Sequence, residues 1–403
     1  MFICELLEDE PRAVAFLLSS CLCLSKITGA VNMSSLAQID TRHFALFAMS
    51  TRYSFCGVHL SIGSPLLSQF LASNPLFFDT VASGCESLRM LDLSYCPVLT
   101  TVPGLSGCVK LHALYLRQCH RLMDVSALPA CTTLHTLDLS GADRLQDFSP
   151  LFGCKSLHTL NLSCSPWLTD LSPLSGCVSL TMLEARACSK LANLSSLSGC
   201  RSLFRLDLNY CLGLTDLSPL STCGSLFTLE LSHCCGLTSV FGLSNCKSLY
   251  SLDLSHCSEL ICVTALSTCW SLHKLRLNGC HQLLDLSPLS GCESLDTLSL
   301  RCCRLLHVDG LSGCTALRSL NLTLSADLAS VSGLSGCSSL SDLDLTCCNS
   351  LSDLSPLCDL RGLRVVASMS EVLAARHNIA QYMHNITWLP RFGTLSDDMV
   401  QTN

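Results

Sequence analysis

The sequence is poor in charged and aromatic residues. Charged side chains make up 14% of the 403 residues, and aromatic side chains make up 6%. Lysine and arginine together number 24 against 31 aspartates and glutamates, which gives a formal net charge of -7. Because a phosphate backbone requires a basic surface, this balance argues against a nucleic-acid partner and favours basic partners.

Long apolar runs are scarce too, and the candidate targeting segment is AVAFLLSSCLCL, residues 13–24. Its length suits the core of a signal peptide and is too short to span a bilayer, so we expect no membrane span there. The preceding ELLEDEPR is acidic where a secretory leader is basic. We therefore expect a buried helix in an N-terminal cap, with a cleaved leader as the alternative.

Motifs for catalysis are absent as well. The sequence contains no phosphate-binding glycine loop, no G-x-S-x-G elbow and no H-E-x-x-H pair. No nucleophile stands apart from the repeated pattern described next. We therefore expect neither enzymatic activity nor a bound cofactor or metal.

Cysteine, by contrast, is plentiful at 31 residues, and many of the cysteines recur at a fixed interval. Each repeat approximates C-x-S-L-x-x-L-x-L-S-x-C-x-x-L-x-D-L-S-P-L-S-G, and twelve copies run from Cys85 to about Leu357. Self-similarity at such a period indicates stacked solenoid coils. Leu363 and Val366 begin a thirteenth strand. The first cysteines of the repeats, 23 residues apart with one interval of 22, are Cys85, Cys108, Cys131, Cys154, Cys177, Cys200, Cys223, Cys246, Cys269, Cys292, Cys314 and Cys337.

Within each repeat the L-x-x-L-x-L segment predicts a short strand that pairs in parallel with its neighbours. We expect the side chains of Leu226, Leu229 and Leu231 to face the interior while the residues between them face outward. The S-P-L-S-G segment predicts the return. There Ser218 is expected to cap a one-turn 3₁₀ helix that Pro219 opens.

The repeats divide the chain into three parts. Residues 1–62 are expected to form a non-repeat N-terminal cap. The repeat domain is expected to span 63–357, with a degenerate first repeat at 63–84. Residues 358–403 are expected to form a C-terminal cap with a partial repeat, a helix at 369–386 opened by a capping box, and a loose tail.

These repeats resemble leucine-rich repeats. They combine the short class of internalins, a strand plus a 3₁₀ return, with the cysteine-containing class of F-box-type adaptors, and they are similar to repeat proteins of trypanosomatids. The resemblance implies an α/β repeat solenoid, a curved horseshoe with a concave parallel sheet and a convex side of 3₁₀ turns and loops. The concave face of such proteins usually binds a partner. Residues 1–62 match neither an F-box nor a RING metal pattern.

Two columns account for 21 of the 31 cysteines. The first column is given above, and the second corresponds to the Asn or Cys ladder of leucine-rich repeats, where a small side chain bonds the neighbouring loop. Because stacked side chains point the same way, we favour buried thiols over disulfides, with zinc binding least favoured. Thiols in this number favour a reducing compartment and therefore the cytoplasm, with secretion or the cell surface as the alternative. The second column comprises Cys96, Cys119, Cys188, Cys211, Cys234, Cys257, Cys280, Cys303 and Cys348, with Ala142, Ser165 and Ser325 in the remaining copies.

One outward position per strand forms what we call the central column, and seven of its twelve members are acidic. An acidic stripe attracts partners that carry Lys or Arg, with salt-sensitive association. Alternatively, these residues only keep an exposed strand soluble. The column consists of Asp92, Tyr115, Asp138, Asn161, Glu184, Asp207, Glu230, Asp253, Arg276, Ser299, Asn321 and Asp344.

Aromatic residues adjoin this column, as is typical of interface hot spots. Three arginines interrupt the acidic run and are expected to pair within it. The aromatic residues are Tyr95, Tyr210, His233 and His256, and the arginines are Arg186, Arg276 and Arg301.

Two further columns have simpler interpretations. A recurrent turn aspartate is expected to bond its own local backbone rather than calcium. A histidine column beside the first strand leucine is expected to reflect duplication, with metal binding as the alternative. The aspartates are Asp124, Asp147, Asp170, Asp216, Asp285 and Asp353, and the histidines are His112, His135 and His158.

The sequence therefore predicts a non-enzymatic scaffold whose concave face binds a protein partner, which would carry a basic segment. One alternative is a surface or extracellular ligand or receptor of internalin type. Another is an adaptor or regulatory subunit of a phosphatase or a ubiquitin ligase. The repeat itself does not discriminate among them, because one repeat fold serves unrelated functions.

Overall fold

The structure is a computed structural model that describes residues 88–367 and, outside them, the backbone of three strands at 31–32, 59–61 and 386–390. The chain divides into two compact units, Met1–Asp207 and Leu208–Asn403. Each unit is built from parallel strands alternating with 3₁₀ helices. In the described residues, no helix is long and apolar enough to cross a membrane.

In unit 1 each strand pairs in parallel with the next along the chain. The strands are β1 (Val31–Asn32), β2 (His59–Ser61), β3 (Met90–Asp92), β4 (Ala113–Tyr115), β5 (Thr136–Asp138), β6 (Thr159–Asn161), β7 (Met182–Glu184) and β8 (Arg205–Asp207). The 3₁₀ helices are Pro103–Gly107, Leu128–Ala130, Ser149–Gly153, Ser172–Gly176 and Ser195–Gly199.

Unit 2 repeats the same arrangement. The strands are β9 (Thr228–Glu230), β10 (Ser251–Asp253), β11 (Lys274–Arg276), β12 (Thr297–Ser299), β13 (Ser319–Asn321), β14 (Asp342–Asp344), β15 (Leu363–Ala367) and β16 (Ile386–Pro390). The 3₁₀ helices are Ser218–Thr222, Phe241–Leu243, Thr264–Thr268, Ser287–Gly291, Asp309–Leu311, Ser332–Gly336 and Ser355–Leu357.

The strands register leucine against leucine, as the repeat predicts. Leu252 lies opposite Leu229 on one side and Leu275 on the other. The one interval of 22 residues leaves the register intact, since Leu298 still pairs with Leu320. The shortened repeat therefore loses its residue outside the strands, where no ladder bond depends on it.

The interior of each coil is a stack of leucines. Leu226, Leu229 and Leu231 are all 0% exposed, which confirms the inward positions expected from the sequence. Full burial of a leucine side chain contributes about 1.5–3 kcal/mol relative to exposure. β15 confirms the thirteenth strand.

The return differs from the expectation at its first residue. Leu217, not Ser218, occupies the N-cap of the helix Ser218–Thr222, and no side chain caps it. Instead Asp216 Oδ1 accepts a hydrogen bond from the Ser218 backbone N–H at 2.8 Å, and the Ser218 hydroxyl donates to Asp216 Oδ2 at 2.7 Å. The predicted serine cap is therefore wrong, because the aspartate two residues earlier already holds the first N–H and the serine hydroxyl.

All six recurrent turn aspartates make this local bond, which confirms their interpretation as turn residues. Their bonds to the backbone N–H two residues later are 2.7 or 2.8 Å long. Bonds from Ser149 hold the pKa of Asp147 below its ordinary value, and the Ser287 backbone N–H does the same for the pKa of Asp285. Both carboxylates are therefore ionised and committed to their turns.

The two cysteine columns form ladders of thiol hydrogen bonds between coils. In the first column, Cys131 Sγ donates to the carbonyl oxygen of Leu105 at 3.4 Å. In the second, Cys257 Sγ donates to the carbonyl oxygen of Leu231 at 3.2 Å. Both cysteines are buried, and burial raises the pKa of Cys131 to about 11 and that of Cys257 to about 12.

The interpretation as buried structural thiols is thereby confirmed at these positions. A thiol whose pKa is raised this far stays protonated at neutral pH and is a poor nucleophile or metal ligand. Its hydrogen remains available to the carbonyl oxygen of the preceding coil, which also accepts a hydrogen bond from the backbone N–H three residues later in its own coil.

The predicted end pieces lie mostly outside the described residues. The degenerate repeat at 63–84 and the loose tail fall there entirely, as does most of the cap at 1–62, in which β1 and β2 are described. The predicted helix at 369–386 also falls there, apart from Ile386, which begins β16 instead. The division into caps and repeats stays a prediction.

Candidate protein-binding surface

The strands place the central column of each unit in register. In unit 1, Asp92 lies opposite Tyr115, which lies opposite Asp138, and the pairing continues through Asn161 and Glu184 to Asp207. Parallel strands lie about 4.8 Å apart, so each side chain of the column is a near neighbour of the next.

In unit 2 the central column runs in the same way. Glu230 pairs with Asp253, and Asp253 pairs with Arg276. The acidic members are half-buried, as neighbours at this spacing shield one another. The remaining members in order are Ser299, Asn321 and Asp344.

The aspartates of the central column also hold the turn that follows the strand, which the sequence did not suggest. Asp253 Oδ1 accepts a hydrogen bond from the Ser255 backbone N–H at 2.8 Å, and Asp138 Oδ1 accepts one from Ser140 at 2.9 Å. Asp92 and Asp344 make the same bond. Each carboxylate therefore shares its charge between a turn and solvent.

Two of the three arginines pair within the column, as expected. Arg186 Nε lies 3.7 Å from Asp207 Oδ2, and Arg276 Nη1 lies 3.6 Å from Asp253 Oδ2. Among the described residues, Arg301 makes no such pair. Asp207 is only 4% exposed, so its carboxylate is not an outward-facing contact as the sequence predicted. Its neighbours and Arg186 cover it.

The third residue after each of the strands β3 to β14 has a positive φ. In unit 2 this position carries Tyr210, His233 and His256, with φ of 63°, 62° and 61°. Their rings stack with centroids 4.4 Å apart at both steps. We call these three residues the turn ladder. The sequence placed them beside the acidic column, and the structure shows that they form one stack.

A second stack lies on the other side of the strands. Phe227, Tyr250 and His273 immediately precede β9, β10 and β11, and their ring centroids are 4.8 and 4.5 Å apart. We call them the pre-strand ladder. Sequence reasoning missed this ladder, although an aromatic ring every 23 residues from Phe227 to His273 is a visible signal.

Burial and a neighbouring imidazole lower the pKa of one member of the turn ladder, His233. The pKa of His233 lies below its ordinary value, chiefly because the ring is partly desolvated and also because the charge of His256 repels a second positive charge beside it. Asp253 acts in the opposite direction. His233 therefore favours its neutral form.

Among the described coils of unit 1, the turn position carries one aromatic residue, Tyr95. Tyr95 is 57% exposed, with the guanidinium of Arg117 lying 5.9 Å from its ring centroid. Tyr115 is half-buried within the central column. The Arg117–Tyr95 contact shows the kind of cation–aromatic interaction that this surface provides.

No family model matches the chain, and no curated protein does. Solved structures do match. An internalin, InlF, of Listeria monocytogenes is 21% identical with a TM-score of 0.58, and the match covers 83% of this chain and 92% of that one.

Two further solved structures resemble parts of the chain. Internalin C2 of Listeria monocytogenes is 24% identical over 55% of this chain and 83% of that one, with a TM-score of 0.38. A leucine-rich repeat protein of Leptospira interrogans is 16% identical over 79% of this chain and 97% of that one, with a TM-score of 0.42.

The repeat, the parallel strands with 3₁₀ returns and the likeness to InlF together define a leucine-rich repeat fold. The predicted class, a solenoid of short cysteine-containing leucine-rich repeats, is thus confirmed. At this identity the likeness establishes the fold and not a partner.

Proposed function

We propose that the protein is a non-enzymatic scaffold that binds a protein partner on its strand face. Within unit 2 the binding surface would comprise Glu230 and Asp253 of the central column together with the two aromatic ladders. Leucine-rich repeat folds commonly serve as interaction scaffolds, which supports this coarse function.

The observation that carries the proposal is the pair of ladders on either side of one acidic column. A soluble strand face needs polar residues, but it does not need six rings in two stacks. Aromatic side chains supply rigid contact area at low entropic cost and dominate many interfaces. Tyr210 is 45% exposed despite its size.

The partner segment is expected to be basic. Glu230 and Asp253 attract Lys and Arg side chains, and the rings of both ladders offer cation–aromatic contacts. Because the carboxylates are half-buried, the attraction is screened less than at an open surface, yet the approach of the partner remains sensitive to salt.

The test compares two variants of the full chain in affinity purification from its native source. Tyr210→Ala combined with His256→Ala removes the two outer rings of the turn ladder, while Phe241→Ala removes a side chain on a return helix that is 75% exposed. We expect a specific partner to be lost with the double variant and retained with Phe241→Ala. Equal retention by both variants would rule out the strand face.

We also propose a reducing compartment, the cytoplasm, on the strength of the thiol ladders. Alkylation of the native protein as extracted, before and after denaturation, counts reactive and buried thiols. Thiols that react only after denaturation support the proposal. Extensive oxidation in the native protein would instead favour the extracellular alternative.

A further inference from the structure

Unit 1 carries a row of three cations and a tryptophan just after the turn that follows each strand. The four residues occupy one position in four consecutive coils, two residues after the second cysteine column. All four are exposed, and Trp167 is 45% exposed although its side chain is large and mostly apolar. We call this row the basic edge, and its members are Arg121, Arg144, Trp167 and Lys190.

The three cations of the basic edge have no carboxylate partner among the described residues. Elsewhere in the described chain, five arginines each lie 3.2 to 3.7 Å from an aspartate of an adjacent coil. Cations on adjacent coils repel one another, and on a chain of net charge -7 a row of them without partners is unexpected. Anionic groups of a ligand would relieve this repulsion.

The carboxylates of the same coils are already engaged. Asp143 directly precedes Arg144, and its Oδ2 atom accepts a hydrogen bond from His120 Nδ1 of the preceding coil at 2.8 Å. The turn aspartates lie three residues beyond the basic edge, and each accepts a hydrogen bond from its own turn. An acidic ligand displaced towards the returns would therefore meet like charge, which fixes its position on the edge.

Trp167 is held in place before any ligand binds. Its Nε1 atom donates a hydrogen bond to the Asp143 carbonyl oxygen at 3.0 Å. On its ring rests the ammonium group of Lys190, 4.2 Å from the centroid. The indole thereby positions a cation of the row, and tryptophan and arginine are among the residues most enriched in binding hot spots.

We propose that the basic edge binds an acidic segment of a protein partner in an extended conformation. Coils about 4.8 Å apart place the positions of Arg121 and Lys190, three coils apart, about 14 Å from each other. Acidic side chains on alternate residues of an extended segment lie about 6.6–6.8 Å apart, so three of them cover the same span. Guanidinium groups match carboxylates with two parallel hydrogen bonds.

The size and charge of the edge favour a short acidic segment over a nucleic acid. A nucleic-acid surface is typically a larger patch on a basic domain, with many phosphate contacts. Here three cations lie on a chain of net charge -7. The site belongs to unit 1 and does not rest on the partner surface proposed for unit 2.

The first experiment measures the fluorescence anisotropy of a labelled eight-residue peptide of alternating glutamate and threonine, titrated with the full-length protein. We expect saturable binding that weakens as the salt concentration rises. Arg144→Ala removes the inner guanidinium and should raise the Kd about tenfold. Arg121→Ala, at the end of the row, should raise it less. Trp167→Ala should also weaken binding, because it releases the Lys190 ammonium from its position.

A matched control exists on the same unit. Arg201 directly follows the first cysteine column, is exposed, and has no carboxylate partner among the described residues. Arg201→Ala changes the net charge as much as Arg144→Ala does and should leave the Kd unchanged. Tyr210→Ala combined with His256→Ala should also leave it unchanged, so that a failure here is distinguishable from a failure of the surface in unit 2.

Several outcomes would overturn the proposal. They are the absence of saturable binding, an unchanged Kd in Arg144→Ala, and an equal loss in Arg144→Ala and Arg201→Ala. Tighter binding of a DNA oligonucleotide than of the peptide would assign the edge to a nucleic acid instead. Self-association in sedimentation velocity that Arg144→Ala abolishes would assign it to a second copy of the chain. Identical far-ultraviolet circular dichroism of the variants establishes that a changed Kd does not arise from unfolding.

Discussion

The interior of each coil and its strand face obey the 23-residue period to different degrees. In three successive coils of unit 2 the interior position is Leu229, then Leu252, then Leu275, whereas the next position along the strand changes from Glu230 to an aspartate and then to an arginine. Close packing restricts each interior position to a narrow range of side-chain shapes, because every coil meets nearly identical neighbours above and below. The face meets solvent on one side and is free to vary, so what distinguishes this chain from other repeat proteins is found there.

In the interior, Leu229→Ala is expected to lower the free energy of unfolding more than any other change considered. Leu229 is 0% exposed between the leucines of adjacent coils, and its truncation leaves a cavity that rigid backbone ladders cannot close. We expect a loss of about 2–5 kcal/mol in the free energy of unfolding, measured by urea denaturation. Thr228→Ala, on the half-buried neighbour, should stay within about 0.5 kcal/mol. Equal losses would show that the leucine stack is not the dominant stabilising element.

The 3₁₀ helices of the returns test whether close packing between coils is equally strict there. A Gly→Ala substitution adds volume without changing polarity. Gly242 is buried in the helix Phe241–Leu243, where an added Cβ would overlap the carbonyl oxygen of Leu217 in the preceding coil. We expect Gly242→Ala to cost about 1–3 kcal/mol in urea denaturation, because the overlap is with backbone. Gly224→Ala is the control, since a Cβ there meets nothing within 4 Å. A stable Gly242→Ala variant would mean that neighbouring returns can separate.

The interior was predictable from the sequence because each of its positions is repeated a dozen times under the same constraint. The strand register, the buried leucines and both cysteine columns follow from that repetition. The serine cap failed for a local reason: the Asp216 carboxylate accepts hydrogen bonds from both the backbone N–H and the hydroxyl of Ser218, and only the turn geometry reveals this contact.

The face was predictable in its positions but not in its contacts. The sequence identifies Tyr210 and His233 as neighbours of the acidic column, but their stacking depends on a positive φ at non-glycine residues, which composition does not reveal. The burial of Asp207 likewise depends on Arg186 lying over it. The identity of a binding partner is harder still to predict from the sequence, because the same repeat fold presents unrelated surfaces in different proteins.

At one interior position, a substitution is expected to raise the free energy of unfolding, by less than the losses above. Ser165 occupies the second cysteine column, and its buried hydroxyl has no hydrogen-bond partner. Ser165→Cys would supply the longer side chain that donates to the preceding coil elsewhere in the column, and we expect a gain of about 1 kcal/mol in the free energy of unfolding. Ser325→Cys should gain less, since the Ser325 hydroxyl already donates to the Leu300 carbonyl oxygen at 3.1 Å. If Ser325→Cys stabilises the chain as much as Ser165→Cys, side-chain volume rather than the hydrogen bond determines which residue is favoured in the second cysteine column.

The smallest effect is expected on the face, where the turn ladder responds to pH. The folded pKa of His233 is lowered below its ordinary value of 6.5, so near that pH the unfolded chain binds more protons than the folded one. Stability from this group is therefore complete above 6.5 and is lost as pH falls from 6.5 through the folded pKa. When it is protonated, the His233 ring lies between the rings of Tyr210 and His256. Asp253 acts against the lowering of the pKa, because its negative charge favours the protonated ring.

The measurement is the urea midpoint of the wild type and of His233→Gln at several pH values from neutral to mildly acidic. The wild type should lose slightly more stability on acidification than the variant, which lacks the titrating ring. Asp147 and Asp285 do not confuse the comparison, since their lowered pKa values place their own loss of stability in more acidic solution, below 3.8. Parallel curves would show that the stacked rings relax freely when charged, and the face would then be as tolerant of charge as it is of sequence.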